Sequence, residues 1–405
     1  MSGVAPDELA EFTQRARQFL DANAKRLVTE FAAWGQGPDR IPLLEHADPE
    51  IEKQELTESR QWRQRVFDSG FGWLGGPVTY GGAGLSPVLD EVYRVLETEY
   101  DVPGRAFFGI ARNMLAPAIL DHGSESLKRK YLRPLFRGDL VACQLFSEPG
   151  AGSDLAGART TARREGDGWL VNGQKVWTSY AHVAQVGELL ARTDASAPKH
   201  HGLTMFVLDM DQPGIDVRPL RQMTGGAHFN EVFLDNVYVP DENRIGEPGI
   251  GWQVARTTLT SERGSVGSGE STLSAPLIQR LDGLISYLGK QDDPSARRAL
   301  AEVLVADRTM RLLNEQSELR DHPGPLGSVA KLLFSRQLER VANTAAELLG
   351  DEFLADSGEW GTFAWTDFLL SAPGLRFAGG TDEIMLNILA EGVLGLPREP
   401  RGDTR

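Results

Sequence analysis

Apolar residues recur every three or four positions in the opening part of the chain, and this spacing predicts helices. Leu9, Phe12, Ala16, Phe19 and Leu20 fall on one face of a segment from Asp7 to Lys25. Ser86 to Tyr100 and Ser124 to Phe136 repeat the pattern, with Ser124 placed to cap the second. A polar, proline-containing stretch from Gly35 to Glu50 reads as a loop. From Val141 to about Ile245 the pattern turns to strands. Gly202 to Asp209 is a buried strand through Leu203, Met205, Phe206, Val207 and Leu208, and Asn230 to Pro240 alternates through Phe233, Val237 and Val239. Trp169-Leu170-Val171 and Lys175-Val176-Trp177 read as a hairpin about a tight Asn172-Gly173 turn. After Gly249 the helical spacing returns, in Trp252 to Leu288, Pro294 to Leu319, Leu326 to Leu349 and Thr381 to Leu394, with Gly350 as the stop of the third.

The expected fold class is mixed α and β. An N-terminal α-helical domain occupies residues 1–140, a middle antiparallel β domain 141–245, a C-terminal four-helix-type bundle 246–397 and a tail 398–405. A chain of 405 residues, 41% hydrophobic, is long enough to bury a large core. Its net charge of −15 disfavours a general nucleic-acid binder, while leaving room for a local basic pocket. Cys143 is the only cysteine, which rules out an intrachain disulfide and suits a reducing cytoplasm. Its neighbours Val141 and Ala142 place it in a core rather than at a reactive site. Met1 to Glu11 lacks the basic and apolar regions of a secretory signal, and no apolar run approaches the roughly 20 residues that span a bilayer. No Cys/His cluster suggests a metal. A cytoplasmic protein with no membrane span and no metal is expected.

Two strings carry candidate chemistry. In Gln144-Leu145-Phe146-Ser147-Glu148-Pro149-Gly150-Ala151-Gly152-Ser153-Asp154, glycines let the backbone approach a flat ring and a phosphate chain, and Ser147 and Ser153 add hydroxyl donors. Asn172-Gly173-Gln174-Lys175-Val176-Trp177-Thr178-Ser179 follows at a strand. With Tyr80-Gly81-Gly82-Ala83-Gly84 upstream and Arg376-Phe377-Ala378-Gly379-Gly380-Thr381-Asp382-Glu383-Ile384 near the end, these strings resemble the acyl-CoA dehydrogenases over nearly the whole chain. The resemblance implies a three-domain flavoprotein subunit that binds FAD and oxidises an acyl-CoA thioester to its α,β-unsaturated form. Electrons then pass to an electron-transfer flavoprotein or similar acceptor. It implies cofactor contacts from Gln144, Phe146, Ser147, Gly152, Ser153, Trp177, Thr178, Ser179, Thr381 and Glu383, with Trp177 against the flavin and Ser179 near its reactive edge. Ser153, Arg263 and Gly380 match positions that meet the substrate.

The base position is where the chain departs from its relatives. The resemblance places a catalytic Glu where this sequence has Gly379, which has no side chain to accept a proton. A minority of the family, isovaleryl-CoA dehydrogenases among them, has its base at the position matching Glu262, so Glu262 takes that role by resemblance. The resemblance also places a backbone N–H of this loop against the thioester oxygen, and Gly379 still has that N–H. Asp382 and Glu383 are also close to this loop, and Asp382 is read as a cap on the helix that follows. The family's Arg-x-x-Phe segment is not evident at Tyr287 to Pro294, and its Gln-x-x-Gly-Gly appears as Glu347-Leu348-Leu349-Gly350-Asp351. Acidic groups there are unfavourable beside a neighbour's pyrophosphate. A hetero-oligomer with divided flavin sites fits this change, and a homo-oligomer with a modified site stands as the alternative. Ala378 and Gly379 are small, which leaves room for a branched or polycyclic acyl group. Two rival readings stand beside the dehydrogenase: a catalytically silent or FAD-sharing subunit, and a flavin oxidase or monooxygenase on the same fold.

Overall fold

The structure is a computed structural model that describes residues 4–27, 34–36, 39–41, 43, 49–269, 271–318 and 326–398; for 263–269, 271–275 and 314–318 it describes the backbone alone. The chain forms two compact units. The first comprises Met1–Thr29, His46–Gln222 and Gly226–Ser261; the second comprises Glu30–Glu45, Met223–Gly225 and Glu262–Arg405.

The first unit begins with α1 (Pro6–Asn23), which has proline in its first turn, Asp7 and Glu8 at its positive end, and Phe12, Ala16 and Leu20 on its buried face. β1 (Lys25–Arg26) follows. α2 (Pro49–Asp68) takes in the last two residues of the expected 35–50 loop, while positions 37, 38, 42 and 44–48 of that loop lie outside the described residues. Next come α3 (Val88–Glu97), β2 (Tyr100–Asp101) paired with β1, a π turn (Ala111–Leu115), α4 (Ala116–His122) and α5 (Glu125–Arg137). Ser124 caps α5 as expected, its hydroxyl accepting from Leu127 N–H at 3.1 Å.

A sheet completes this unit: β3 (Ala142–Leu145), β4 (Thr161–Glu165), β5 (Gly168–Ser179), β6 (Val186–Arg192), β7 (Leu203–Asp209), β8 (Ile215–Leu220), β9 (Phe229–Pro240) and β10 (Arg244–Ile245). The order is β10-β7-β6-β4-β5-β9-β8, with β3 beside β6. Pairing is antiparallel except that β3 and the start of β4 run parallel to β6. Along β7, Leu203, Met205 and Val207 join one core cluster with Leu115, Leu132 and Val254, while Phe206 and Leu208 join another with Val171 and Val237. Burial on both faces explains its continuous apolar run. Cys143 lies in the second of these clusters, where burial pushes its thiol up to about 12.

The Asn172-Gly173 hairpin is not formed. Both residues lie inside the single strand β5, and the turn falls earlier, between β4 and β5, where Glu165 pairs with Gly168 across Gly166-Asp167. Gly166 supplies the left-handed conformation (φ +58°) that such a turn needs. Gly173 serves close packing instead, since a β-carbon there would lie 2.4 Å from Thr160 Oγ1.

α6 (Gly251–Gly269) begins in the first unit and ends in the second. α7 (Ser271–Tyr287), α8 (Pro294–Glu318), α9 (Leu326–Leu349), α10 (Phe363–Phe377) and α11 (Asp382–Gly392) follow. The expected Trp252–Leu288 helix is thus two helices, with residue 270 outside the described residues. Leu281, Leu284, Val303, Leu338, Val341, Trp365 and Phe368 form the core of the second unit, with Trp34 packed against it. Among the described residues no helix is long and apolar enough to cross a membrane, and no group of three or more His, Cys, Asp or Glu could hold a metal.

Candidate functional site

In the first unit the glycine-rich string leaves β3 and turns at once. Glu148 and Ala151 exchange two backbone hydrogen bonds, 3.1 and 3.0 Å, around Pro149-Gly150. The buried Glu148 carboxylate then reaches forward, accepting the N–H groups of Arg159 at 2.6 Å and Thr160 at 2.8 Å. Lys175, on β5 and 0% exposed, donates to Glu148 Oε1 at 2.9 Å and to the carbonyls of Phe146 at 3.0 Å and Leu190 at 2.7 Å. Val176 N–H donates to the Ser147 carbonyl at 2.9 Å. The two strings that stood out in the sequence are therefore stitched together by one buried ion pair. Burial lowers the Lys175 ammonium to about 8 against the opposing pull of Glu148. Burial raises the Glu148 carboxyl, but Lys175 and the donors from Thr160 and Arg159 outweigh it and hold the group below its usual value.

Sequence reasoning gave Glu148 and Lys175 no role. The available signal was a lysine between Val171 and Val176 in an apolar strand, which demands a buried partner.

Of the residues expected to touch a cofactor, those of the two strings flank this stitch, while Thr381 and Glu383 belong to the second unit. A bulge between Lys175 and Thr178 puts Trp177 at φ +61° and leaves the residue 61% exposed, its ring edge-on to Phe229 at 5.9 Å. Thr178 is buried with its hydroxyl unpartnered, and the Gln144 amide nitrogen is likewise buried and unpartnered. Phe146 is buried, Ser147 and Ser179 are half-buried, and Gly152 and Ser153 are exposed. A β-carbon on Gly150 or Gly152 would meet nothing within 4 Å. An open backbone loop, an exposed indole and polar atoms still lacking partners fit a large, flat ligand with hydrogen-bonding edges, as FAD is.

In the second unit, α10 ends at Phe377 and α11 starts at Asp382. The turn between them carries Gly379 at φ +66° and Gly380 at φ +99°. Both are left-handed positions that suit glycine, and a β-carbon on Gly380 would also strike Met385 Cε at 2.6 Å. A β-carbon on Gly379 would stand 3.6 Å from Glu262 Oε1. The carboxylate of Glu262 thus lies against the space that a side chain at 379 would enter.

Thr381 caps α11, its hydroxyl accepting from Ile384 N–H at 3.2 Å, so the cap role read for Asp382 is corrected. Asp382 is 4% exposed and accepts from Ser335 Oγ at 2.7 Å, Arg376 Nε at 2.8 Å and Lys331 Nζ at 3.3 Å. Lys331 also donates to the Arg376 carbonyl at 3.0 Å. This network ties the residues on either side of the glycine turn to α9. Glu383 is exposed, its carboxyl held low by hydrogen bonds from its own N–H and from Thr381. The Arg263 side chain lies outside the described residues. Glu347 and Asp351 are exposed, and Glu347 lines an open groove of about 450 Å³ with Arg336, Glu339, Arg340 and Arg376.

Comparison with known proteins gives one consistent answer. The family models for the acyl-CoA dehydrogenase N-terminal, middle and C-terminal domains match residues 6–139, 143–237 and 249–394. Acyl-CoA dehydrogenase IpdE1 of Mycobacterium tuberculosis is 36% identical over 98% of this chain and 100% of its own length. Among solved structures, the Tcur3481-Tcur3483 steroid ACAD matches with a TM-score of 0.72 at 25% identity, covering 98% of this chain and 100% of that one. The ChsE4-ChsE5 complex from Mycobacterium tuberculosis matches with a TM-score of 0.72 at 26% identity and the same coverage. The chain belongs to the acyl-CoA dehydrogenase family and is an oxidoreductase.

Proposed function

We propose that this chain is an FAD-dependent dehydrogenase of acyl-CoA thioesters in which Glu262 removes the α-proton. One observation supports this most: the Glu262 carboxylate stands beside Gly379, the position that carries no side chain. Bound FAD would supply the hydride acceptor for the β-carbon. Glu262 takes the proton, and the Gly379 N–H steadies the oxygen on which negative charge develops. Ser147, Ser153, Trp177, Thr178, Ser179, Gln144 and Phe146 hold the cofactor, with Gly152 leaving the backbone bare against it. Thr381 and Glu383 complete its binding, and Ser153, Arg263 and Gly380 meet the thioester. On this reading the functional division of the chain is 1–140, 141–245 and 246–397, and the protein works in the cytoplasm with an electron-transfer flavoprotein or similar acceptor.

The small Ala378 and Gly379 support a branched or polycyclic acyl group, and the steroid ACAD among the similar structures supports the polycyclic choice. The exposed Glu347 and Asp351 favour assembly with a second kind of subunit that holds the dinucleotide end of FAD, and the similar ChsE4-ChsE5 complex, which carries two names, supports a two-component assembly. The test is to incubate the purified protein, alone and with candidate partner subunits, with straight-chain and polycyclic acyl-CoAs and an artificial acceptor. The expected product has lost two hydrogens and comes from the polycyclic thioester. Rapid oxygen consumption without an acceptor would show an oxidase instead, and a protein that takes up no FAD in any assembly would sink the proposal.

A further inference from the structure

The helical part of the first unit holds three arginines, Arg63 buried and Arg105 and Arg112 half-buried, that the flavin and thioester assignments do not use. Arg63 comes from α2, Arg105 from the residues after β2, and Arg112 from the π turn Ala111–Leu115. Arg63 is 2% exposed, and its Nε and Nη2 have no hydrogen-bond partner. Arg112 gives Nη2 to the Gly72 carbonyl at 3.1 Å, but its Nε has none. The buried hydroxyls of Tyr93 and Ser59 are also unpartnered. The guanidiniums lie close enough to act on one another: Arg63 bears on Arg105, and both bear on Arg112.

The acids nearby do not balance this charge. Glu97 accepts from Trp62 Nε1 at 2.9 Å through one oxygen and pairs with Arg105 through the other. Asp90 spends its two oxygens on the N–H groups of Leu74 and Gly75, at 2.9 and 2.7 Å. Glu91 is paired with Arg94. Of the three, Arg105 alone is seen in a direct carboxylate pair; Asp90 acts on Arg63 and Arg112, and Glu91 on Arg105, only through space. Burial lowers Arg63 and Arg105 only to about 10, so both stay charged at neutral pH. A buried charge without a counter-charge is strongly unfavourable. The open groups are guanidinium donors and hydroxyls, so they lack acceptor oxygens and negative charge together. An oxyanion supplies both. The π turn adds a residue to the helix at this point, a device common at functional sites.

We propose that the Arg63–Arg105–Arg112 cluster is a binding site for a compact oxyanion, a carboxylate or phosphate-type group. The oxyanion is either a free ion or a group carried on the acyl part of a substrate.

The test uses the FAD-loaded protein. Thermal unfolding is followed in rising sodium phosphate or sodium acetate, against sodium chloride at matched ionic strength. A saturable rise in Tm of about 3–5 °C beyond the chloride control is expected for a site filled well above its Kd. Arg63→Met removes the charge and should abolish that rise. If Arg63→Met does not fold, Arg112→Lys keeps a charge but loses the fork, and should weaken the rise by about tenfold in anion concentration. A second arm, which rests on the dehydrogenase reading, identifies the source. If the anion belongs to the substrate, Arg112→Lys raises KM for a carboxylate-bearing acyl-CoA and not for its neutral methyl ester. If the ion is free, both KM values are unchanged while the Tm effect persists. The proposal is overturned if wild-type Tm in phosphate and acetate follows chloride throughout, or if Arg63→Met keeps the full oxyanion effect.

Discussion

Replacing Glu148 with Gln removes the carboxylate bonded to the Lys175 ammonium while keeping the size of the side chain. Three donors converge on that carboxylate: Lys175 Nζ at 2.9 Å, Arg159 N–H at 2.6 Å and Thr160 N–H at 2.8 Å. A glutamine offers one carbonyl oxygen and turns an N–H₂ toward the remaining donors. Lys175, fully buried, keeps only the carbonyls of Phe146 and Leu190. Breaking a buried pair from one side costs about 3–5 kcal/mol, a large share of the roughly 5–15 kcal/mol that holds a typical fold.

The pH dependence gives a second reading of the same change. The Lys175 ammonium titrates at about 8 in the folded chain against 10.5 in the open one. Between those values the unfolded chain holds more protons, so stability rises as pH climbs from about 8 to about 10.5. Glu148 acts at the other end: its carboxyl is held below 4.5, so its contribution is present above that value and fades as pH falls through its lower folded value. Glu148→Gln removes both interactions that raise Lys175, so the alkaline gain should start at lower pH and be larger. Urea unfolding, followed by circular dichroism and by tryptophan fluorescence from pH 6 to about 10, measures both effects. The double variant Glu148→Gln/Lys175→Met should recover part of the loss. A single-variant loss under about 1 kcal/mol, or an alkaline rise that begins at the same pH as in wild type, would refute the reasoning.

Two further substitutions test the glycine turn. Gly379→Ala places a methyl at φ +66° and should lower stability by about 1 kcal/mol, read by thermal unfolding, while FAD absorbance is retained. Asp382→Asn leaves the buried Lys331 without its carboxylate and frees Arg376 from one partner; a loss of about 3 kcal/mol and a fall in kcat larger than the change in KM are expected from steady-state kinetics.

Where local pattern sufficed, the sequence was readable. Ser124 announced the start of α5, and the apolar spacing marked both ends of α9 at Leu326 and Leu349. α2 was not singled out because it buries only a thin stripe through Ser59, Trp62, Arg63 and Val66. α10 was hidden for the opposite reason: it is apolar on most faces and contains Pro373, so no period stands out. Asn172-Gly173 mimicked a turn because glycine also serves where a neighbour, here Thr160, leaves no room for a side chain.

The candidate site divides along the same line. Its strings were visible by resemblance, but the Glu148–Lys175 pair and the Asp382 network join residues distant in sequence, which no local spacing displays. The proximity of Glu262 to Gly379 was expected through the resemblance and not from periodicity.

The central claim is that Glu262 does the work a side chain at 379 cannot. Glu262→Gln keeps the shape of the side chain and removes the base. The deciding measurement is flavin bleaching by a turned-over acyl-CoA in anaerobic stopped-flow, with wild type and Glu262→Gln compared at equal FAD content. The account predicts normal FAD and thioester binding with bleaching slowed by about 10²–10⁴, whereas bleaching within about tenfold of wild type, a difference of about 1.4 kcal/mol, would place the base elsewhere.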